Sequence, residues 1–126
     1  MKSKRILIVD DEPVVIQVLS RFFQSKECLV SSAGCAEDAI FLLREDHFDL
    51  IMLDVNLPGA SGFSAIKALK SMSDAVILVM SGLADEEIRK DALTLGADEL
   101  IAKPFEHQQL LSLIQALLVK RDLSAA

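Results

Sequence analysis

Five short apolar runs punctuate the chain at near-regular intervals: Arg5–Asp10, Cys28–Ala33, Leu50–Asp54, Ala75–Met80 and Glu99–Lys103. They are rich in Ile, Leu, Val and Met and show no polar alternation, the pattern of strands covered on both faces. The segments between them change period. In Pro13–Lys26, Val15, Val18, Leu19, Phe22 and Phe23 follow the i, i+3, i+4, i+7 stripe of an amphipathic helix. Pro13 suits its first turn, where a missing N–H costs nothing. Ala36–Asp46 presents Ala39, Ile40, Leu42 and Leu43, and Ser61–Met72 presents Phe63, Ile66, Ala68 and Leu69. Asp85–Leu95 opens on three acids and closes at Gly96, a good C-cap. Glu106–Asp122 carries Lys120-Arg121 in its expected last turn, where cations suit the helix dipole. Strand and helix thus alternate five times with short connections. The pattern predicts an α/β fold, a (βα)₅ doubly wound parallel sheet with right-handed crossovers and helices on both faces.

The strand ends carry chemistry. The first run leads into Asp10 and Asp11, followed by Glu12; the third ends on Asp54, the fourth meets Ser81 and the fifth ends on Lys103. In a parallel sheet all of these emerge along one edge, where open α/β sheets place their ligands. With the flavodoxin-like strand order 2-1-3-4-5, the first and third strands flank the switch point, which brings Asp10, Asp11 and Asp54 into one pocket. Three carboxylates so close repel unless a cation joins them or some take up protons. Mg²⁺ is the natural cation, since it takes hard oxygen ligands and leaves positions for water and phosphate. No His or Cys pairs with these acids, which argues against zinc. The Lys103 ammonium can bind a phosphoryl group as a point charge, and the Ser81 hydroxyl can donate to its oxygens. Gly82 leaves room for backbone N–H groups nearby. Taken singly, the acids read as a helix cap, Ser81 as another cap and Lys103 as a structural ion pair. Their joint placement at four strand ends points instead to a site for a divalent cation and a phosphoryl group.

Length and composition narrow the setting. At 126 residues the chain is one domain, expected over residues 4–122 with short tails at 1–3 and 123–126. Its 52% hydrophobic and 25% charged content is that of a globular chain rather than a disordered one. No apolar run approaches the ~18–20 residues of a membrane span. Ile6–Val9 is too short for a signal-peptide core, so a cytoplasmic location is expected. A net charge of −6 without a basic patch argues against direct nucleic-acid binding. Cys28 and Cys35 fit neither a metal spacing nor a CxxC pair and read as reduced thiols near the ends of a strand and a helix. His47 and His107 read as surface residues. Leu57-Pro58-Gly59 reads as a turn. The last helix carries Leu110, Leu111, Leu113, Ile114, Leu117, Leu118 and Leu123, more than one apolar stripe. That is a broad core face with stray surface leucines, or a partner or dimer surface shared with the fourth helix.

These residues, in this order, resemble the receiver domain of two-component response regulators. The matching pieces are Ile6-Leu7-Ile8-Val9-Asp10-Asp11-Glu12-Pro13, Leu53-Asp54-Val55-Asn56-Leu57-Pro58-Gly59 with Gly62, Met80-Ser81-Gly82, and Gly96-Ala97-Asp98 leading to Lys103-Pro104-Phe105. The resemblance runs from about Lys4 to Arg121. It implies that Asp54 is the phospho-acceptor, taking its phosphoryl group from a histidine kinase or phosphotransfer protein. Asp11, Asp54 and the backbone carbonyl of Asn56 would bind Mg²⁺ directly, and Asp10 would act through water. Lys103 would hold the phosphoryl group, Ser81 would be the switch hydroxyl, and Lys103-Pro104 would be a cis peptide. Such a protein is a signalling switch rather than an enzyme, catalysing only its own phosphorylation and dephosphorylation. It would act on a downstream partner or effector domain through the surface of its fourth helix, fifth strand and fifth helix.

One departure matters. Receivers usually carry Tyr or Phe three positions before this Lys, as a rotating second switch residue; here the position is Leu100. An aromatic flip is therefore excluded as the output, and a Ser81-driven shift of the fourth helix and fifth strand is left.

The rivals are weaker. A Mg²⁺-dependent phosphatase with an Asp nucleophile normally needs a second Asp two positions on, where this chain has Asn56, and a substrate-capping insert with no room here. A nucleotide- or flavin-binding domain should cradle phosphate in a glycine-rich first turn, where this chain has Asp-Asp-Glu-Pro. A degenerate receiver acting purely as an interaction module is opposed by the intact set of acids, Ser and Lys. No effector domain is expected within these residues.

Overall fold

A computed structural model describes residues 1–56, 62–83 and 85–125, the last by its backbone alone. The expected turn at Leu57-Pro58-Gly59 and the expected helix start at Ser61 lie outside the described residues. The elements run β1 (Arg5–Val9), α1 (Pro13–Ser25), β2 (Leu29–Ala33), α2 (Ala36–Glu45), β3 (Leu50–Asp54), α3 (Gly62–Met72), β4 (Val76–Ser81), α4 (Glu86–Leu95), β5 (Glu99–Ala102) and α5 (His107–Ala125). The strands form the one parallel sheet that the apolar pattern predicts, in the flavodoxin-like order β2-β1-β3-β4-β5 expected for it.

Period-2 geometry sorts the continuous apolar runs into two cores. Ile6, Ile8, Leu50, Met52, Leu78 and Met80 face α1 and α5, where they meet Leu19, Phe23, Leu110 and Ile114. Leu7, Val9, Ile51, Leu53, Ile77 and Val79 face the other way, onto Ala39 of α2, Ile66 and Leu69 of α3, and Ala92 of α4. Each large side chain so buried contributes about 1.5–3 kcal/mol. The edge strands depart from the expectation of cover on both faces. Leu29 in β2 is 58% exposed and Ala102 in β5 is also exposed, because an edge strand has a helix neighbour over only part of its surface.

Two acids close the sheet where strands begin. Asp49, just before β3, gives its N–H to Arg5 O (2.8 Å) and accepts the Arg5 N–H on Oδ2 (2.9 Å). Asp98, just before β5, does the same with Ile77, giving its N–H to Ile77 O and accepting the Ile77 N–H, both at 2.8 Å. Each carboxylate supplies the acceptor that a further residue of strand would have provided.

The C-terminal helix corrects one expectation. It continues to Ala125, so Lys120-Arg121 lie before its last turn. Arg121 instead reaches to the base of the sheet, with Nη1 on Asp49 O (3.1 Å) and Nη2 on Asp49 Oδ1 (3.2 Å). Cys28 and Cys35 are free thiols, the first buried and the second at the N-cap position of α2, where its side chain makes no capping bond. His47 and His107 are exposed; His47 Nε2 stands 3.3 Å from Asp74 Oδ1, and the His107 ring lies 4.6 Å from that of Phe22. Leu110, Ile114 and Leu118 are buried, whereas Val119 and Leu123 are exposed, so α5 combines a core face with apolar side chains left outside it.

Burial opposes ionisation of Asp49, but the Arg5 N–H, the Arg121 guanidinium and the Lys4 charge outweigh it and hold the carboxyl below its usual range. Stability from a lowered carboxyl is present above the unfolded value and lost as pH falls through the folded one. Arg121→Met should cost about 1–2 kcal/mol in urea denaturation at pH 7. The gap between variant and wild type should shrink below about pH 4.

Candidate functional site

The strand ends converge as the register dictates. Asp10 follows β1, is fully buried and gives its N–H to Ala33 O at 3.0 Å. Its Oδ1 accepts the Glu12 N–H (2.9 Å) and its Oδ2 the Lys103 ammonium (3.0 Å). Asp54 ends β3 with 3% of its surface exposed. Its Oδ1 accepts the Asn56 N–H (3.0 Å) and its Oδ2 the same ammonium (3.2 Å). Lys103 is placed by its own backbone, whose N–H reaches Ser81 O at 2.8 Å; its bond to Pro104 is cis, as expected. The ammonium therefore bridges two carboxylates from strands that are neighbours only because the chain crosses over.

Asp11 and Glu12 stand exposed at the mouth. Carboxylate oxygens of Asp10, Asp11, Glu12 and Asp54 all lie within 4.8 Å of one another. Oxygens on opposite sides of one ion, each at about 2.0–2.5 Å, would be separated by about 4–5 Å, so the donor set fits a hard divalent cation. Glu12 occupies the N-cap position of α1, yet its side chain makes no capping hydrogen bond. The reading of these acids as a helix cap therefore fails at the residue best placed for it.

Ser81 ends β4 and is 2% exposed. Its Oγ accepts the Leu83 N–H at 3.1 Å, so the hydroxyl is tied to the loop leading into α4. Leu83 itself is exposed, and Leu100 is half-buried against the α2–α4 core. Burial raises the Asp10 pKa, outweighing the Glu12 N–H and Lys103, which lower it, and the Asp54 charge adds to the rise. Burial would lower Lys103, but its bond to Asp10 and the charges of Asp10 and Asp54 raise it overall, so the ammonium stays charged at neutral pH.

Two features escaped the sequence reading. The first is the role of Gly62, which opens α3 against the end of β3 and gives its N–H to Val55 O at 2.9 Å. A Cβ there would stand 2.3 Å from Val55 Cα and 2.6 Å from Asp54 O, closer than backbone can yield. The second is an apolar cleft of about 380 Å³ beside Lys103, lined by Val14, Val15, Val18, Leu19, Phe105 and His107 among others. Val14 and Val18 fall on the outer flank of the α1 stripe, where periodicity alone cannot separate a core edge from an exposed surface.

The profile of the response regulator receiver domain matches residues 6–115. The chain belongs to this family. The receiver is 34% identical over 117 residues to the transcriptional regulatory protein YvrH of Bacillus subtilis, covering 92% of this chain and 49% of that one. It is 32% identical over 120 residues to the response regulator SaeR of Staphylococcus epidermidis, covering 94% of this chain and 52% of that one. It thus spans about half the length of the curated relatives it matches. Among solved structures, a CheY-like response regulator receiver domain protein from Methanospirillum hungatei superposes with a TM-score of 0.91 at 25% identity, covering 98% and 99% of the two chains. A response regulator from Burkholderia pseudomallei, crystallised with a phosphorylated aspartic acid, a calcium ion and citrate, gives 0.85 at 30% identity, covering 98% of this receiver and 74% of that chain.

Gly62→Ala should cost about 3 kcal/mol in chemical denaturation, because the added methyl meets backbone rather than a movable side chain. An alanine exchange at Gly34, where a Cβ meets nothing within 4 Å, is the matched control and should cost far less.

Proposed function

We propose that this receiver accepts a phosphoryl group on Asp54 from a histidine kinase or a phosphotransfer protein and passes the signal on through its α4, β5 and α5 surface. The observation that carries the reading is the Lys103 ammonium, 3.0 Å from Asp10 and 3.2 Å from Asp54, beside an acidic cluster that it cannot neutralise alone. A buried carboxylate held by one cation, with further acids converging on it, suits transfer of a charged group better than a closed ion pair does.

In the transfer, an Asp54 carboxylate oxygen attacks phosphorus, the bond from phosphorus to the donor nitrogen breaks, and the leaving imidazole keeps the electron pair. The Asn56 N–H fixes the orientation of the Asp54 carboxylate. Lys103 turns from a carboxylate partner into a partner of the incoming phosphoryl oxygens. Asp11, Asp54 and the carbonyl of Asn56 would hold Mg²⁺, with Asp10 acting through water. The bound ion supplies positive charge against the phosphoryl oxygens during transfer. Ser81 would exchange its bond with the Leu83 N–H for one to a phosphoryl oxygen, which couples the site to α4. The apolar cleft over Val14 and Val18 gives a protein donor a surface to rest on beside the acceptor.

The protein is on this reading a cytoplasmic switch that catalyses its own phosphorylation and dephosphorylation, with no direct contact to nucleic acid through these residues. No helix among the described residues is long and apolar enough to cross a membrane. Its output passes to a separate partner or to an effector segment of a longer protein, and α4 with α5 would supply a dimer surface.

Incubation with Mg²⁺ and acetyl phosphate should add one alkali-labile phosphoryl group, read by intact mass. Asp54→Asn and EDTA should each abolish it. No gain from either acetyl phosphate or a kinase donor would sink the reading in favour of a phosphorylation-independent interaction module. Mg²⁺ should also raise the melting temperature of the wild type, since an ion that binds only the folded state stabilises it by mass action, and should raise that of Asp54→Asn less.

A further inference from the structure

Helix α4 presents a narrow apolar face to the core. It opens on Asp85, whose Oδ1 accepts the Ile88 N–H at 2.8 Å, and only Ala92 of its residues is buried. Among the described residues, one side-chain ion pair ties it to another element. Arg89 forks onto Glu99 at the start of β5, with Nε 2.7 Å from Oε1 and Nη2 3.1 Å from Oε2. Two parallel bonds fix the relative orientation of helix and strand as a single contact cannot. Glu99 is itself held, since its Oε1 also accepts the Leu100 N–H at 3.0 Å, and the charge of Lys120 on α5 acts on the same carboxylate. Arg89 Nη1 lies 3.3 Å from Glu86 Oε1 within α4. The fork thus joins the first turns of α4 to the strand that carries Leu100 and leads to Lys103.

The same N-terminal end of α4 is tied to the phosphoryl site. Ser81 Oγ is bonded to the Leu83 N–H, two residues before the α4 cap. Any movement of that hydroxyl toward Asp54 gives up this bond and releases the turn from which Arg89 projects. With leucine at position 100, no rotating ring is available to carry the change along β5. What resists displacement of α4 is its thin apolar face and the Arg89–Glu99 fork.

We propose that the Arg89–Glu99 pair is a latch that holds α4 on β5 in the unphosphorylated arrangement and thereby sets how readily the Asp54 site takes a phosphoryl group. The inference rests on the reading of Asp54 as an acceptor coupled to α4. Coupling between sites is reciprocal: if acceptance at Asp54 favours release of α4, release of α4 favours acceptance at Asp54. Glu99→Gln keeps the size of the side chain and an acceptor for the Leu100 N–H while removing the charge. Arg89→Gln removes the fork from the other side.

The test is a titration with beryllofluoride in the presence of Mg²⁺, followed by ¹⁹F NMR, with amide hydrogen exchange of α4 measured on the same proteins. Each single variant should bind beryllofluoride about fivefold more tightly than wild type and exchange its α4 amides faster by a similar factor. The double variant Arg89→Gln/Glu99→Gln should match the singles rather than add their effects, because one interaction is lost either way. Faster exchange with unchanged beryllofluoride affinity would overturn the latch and leave a structural brace. Weaker beryllofluoride binding would overturn it too, by placing the pair in the phosphorylated arrangement. Wild-type protein that fails to bind beryllofluoride would overturn the acceptor reading together with the latch, a result distinct from unchanged variants of a binding wild type.

Discussion

The Lys103 ammonium stands between two buried carboxylates that would otherwise repel each other, and the arrangement of the strand ends depends on it. Asp10 and Asp54 come from adjacent strands, each nearly closed to water, and like charges so placed repel strongly in a medium of low effective dielectric. Every oxygen of the two carboxylates is engaged: one on each residue takes a backbone N–H two positions along, and the other takes Lys103. The ammonium thereby fixes both side chains in space. It does not neutralise the cluster, because Asp11 and Glu12 add two further carboxylates to the pair. The residual negative charge is more than a purely structural ion pair would leave.

The sheet makes that concentration of charge tolerable. Two apolar layers bury the strands of its centre almost completely, so the stability of the fold resides away from the edge where the acids collect. The crossover that places β3 beside β1 brings Asp54 to Asp10, and the pairing of β5 with β4 delivers Lys103 to the same edge. Gly62 belongs to this construction. By letting α3 begin directly on the end of β3, it keeps the backbone of Asp54 and Val55 fixed from behind.

Much of this was legible in the chain, for physical reasons that differ residue by residue. Strand β3 reads clearly because Leu-Ile-Met-Leu has nothing polar to expose and must be covered on both faces, and its terminal Asp then has only one edge to occupy. The acids, Ser81 and Lys103 could be assigned to one edge because parallel strands all point the same way. What periodicity could not show were contacts across the fold. Lys120-Arg121 matched a helix end by local charge, yet Arg121 is drawn to Asp49, more than 70 positions earlier, and the helix runs on past it. The edge strands looked like central ones because composition records apolar content and not how many neighbours a strand finds. Glu99 gave no sign of its partner, since a bidentate contact between helix and strand leaves no spacing in the sequence.

The two ends of the sheet carry the same residue type to opposite effect. At the end where strands begin, Asp49 receives an N–H from Arg5 and a guanidinium from Arg121, and its charge is fully answered; the carboxyl sits below its usual range. At the end where strands finish, Asp10 receives a comparable pair of donors, but a second buried carboxylate shares one of them, and burial drives its carboxyl upward. A satisfied acid closes a rung of the sheet and has no affinity to spare. An acid that must share its cation has affinity to spare, which on the proposed reading a divalent ion and a phosphoryl group would use. The difference between scaffold and site in this chain is therefore one of charge balance, set by how many carboxylates the strand order brings to each cation.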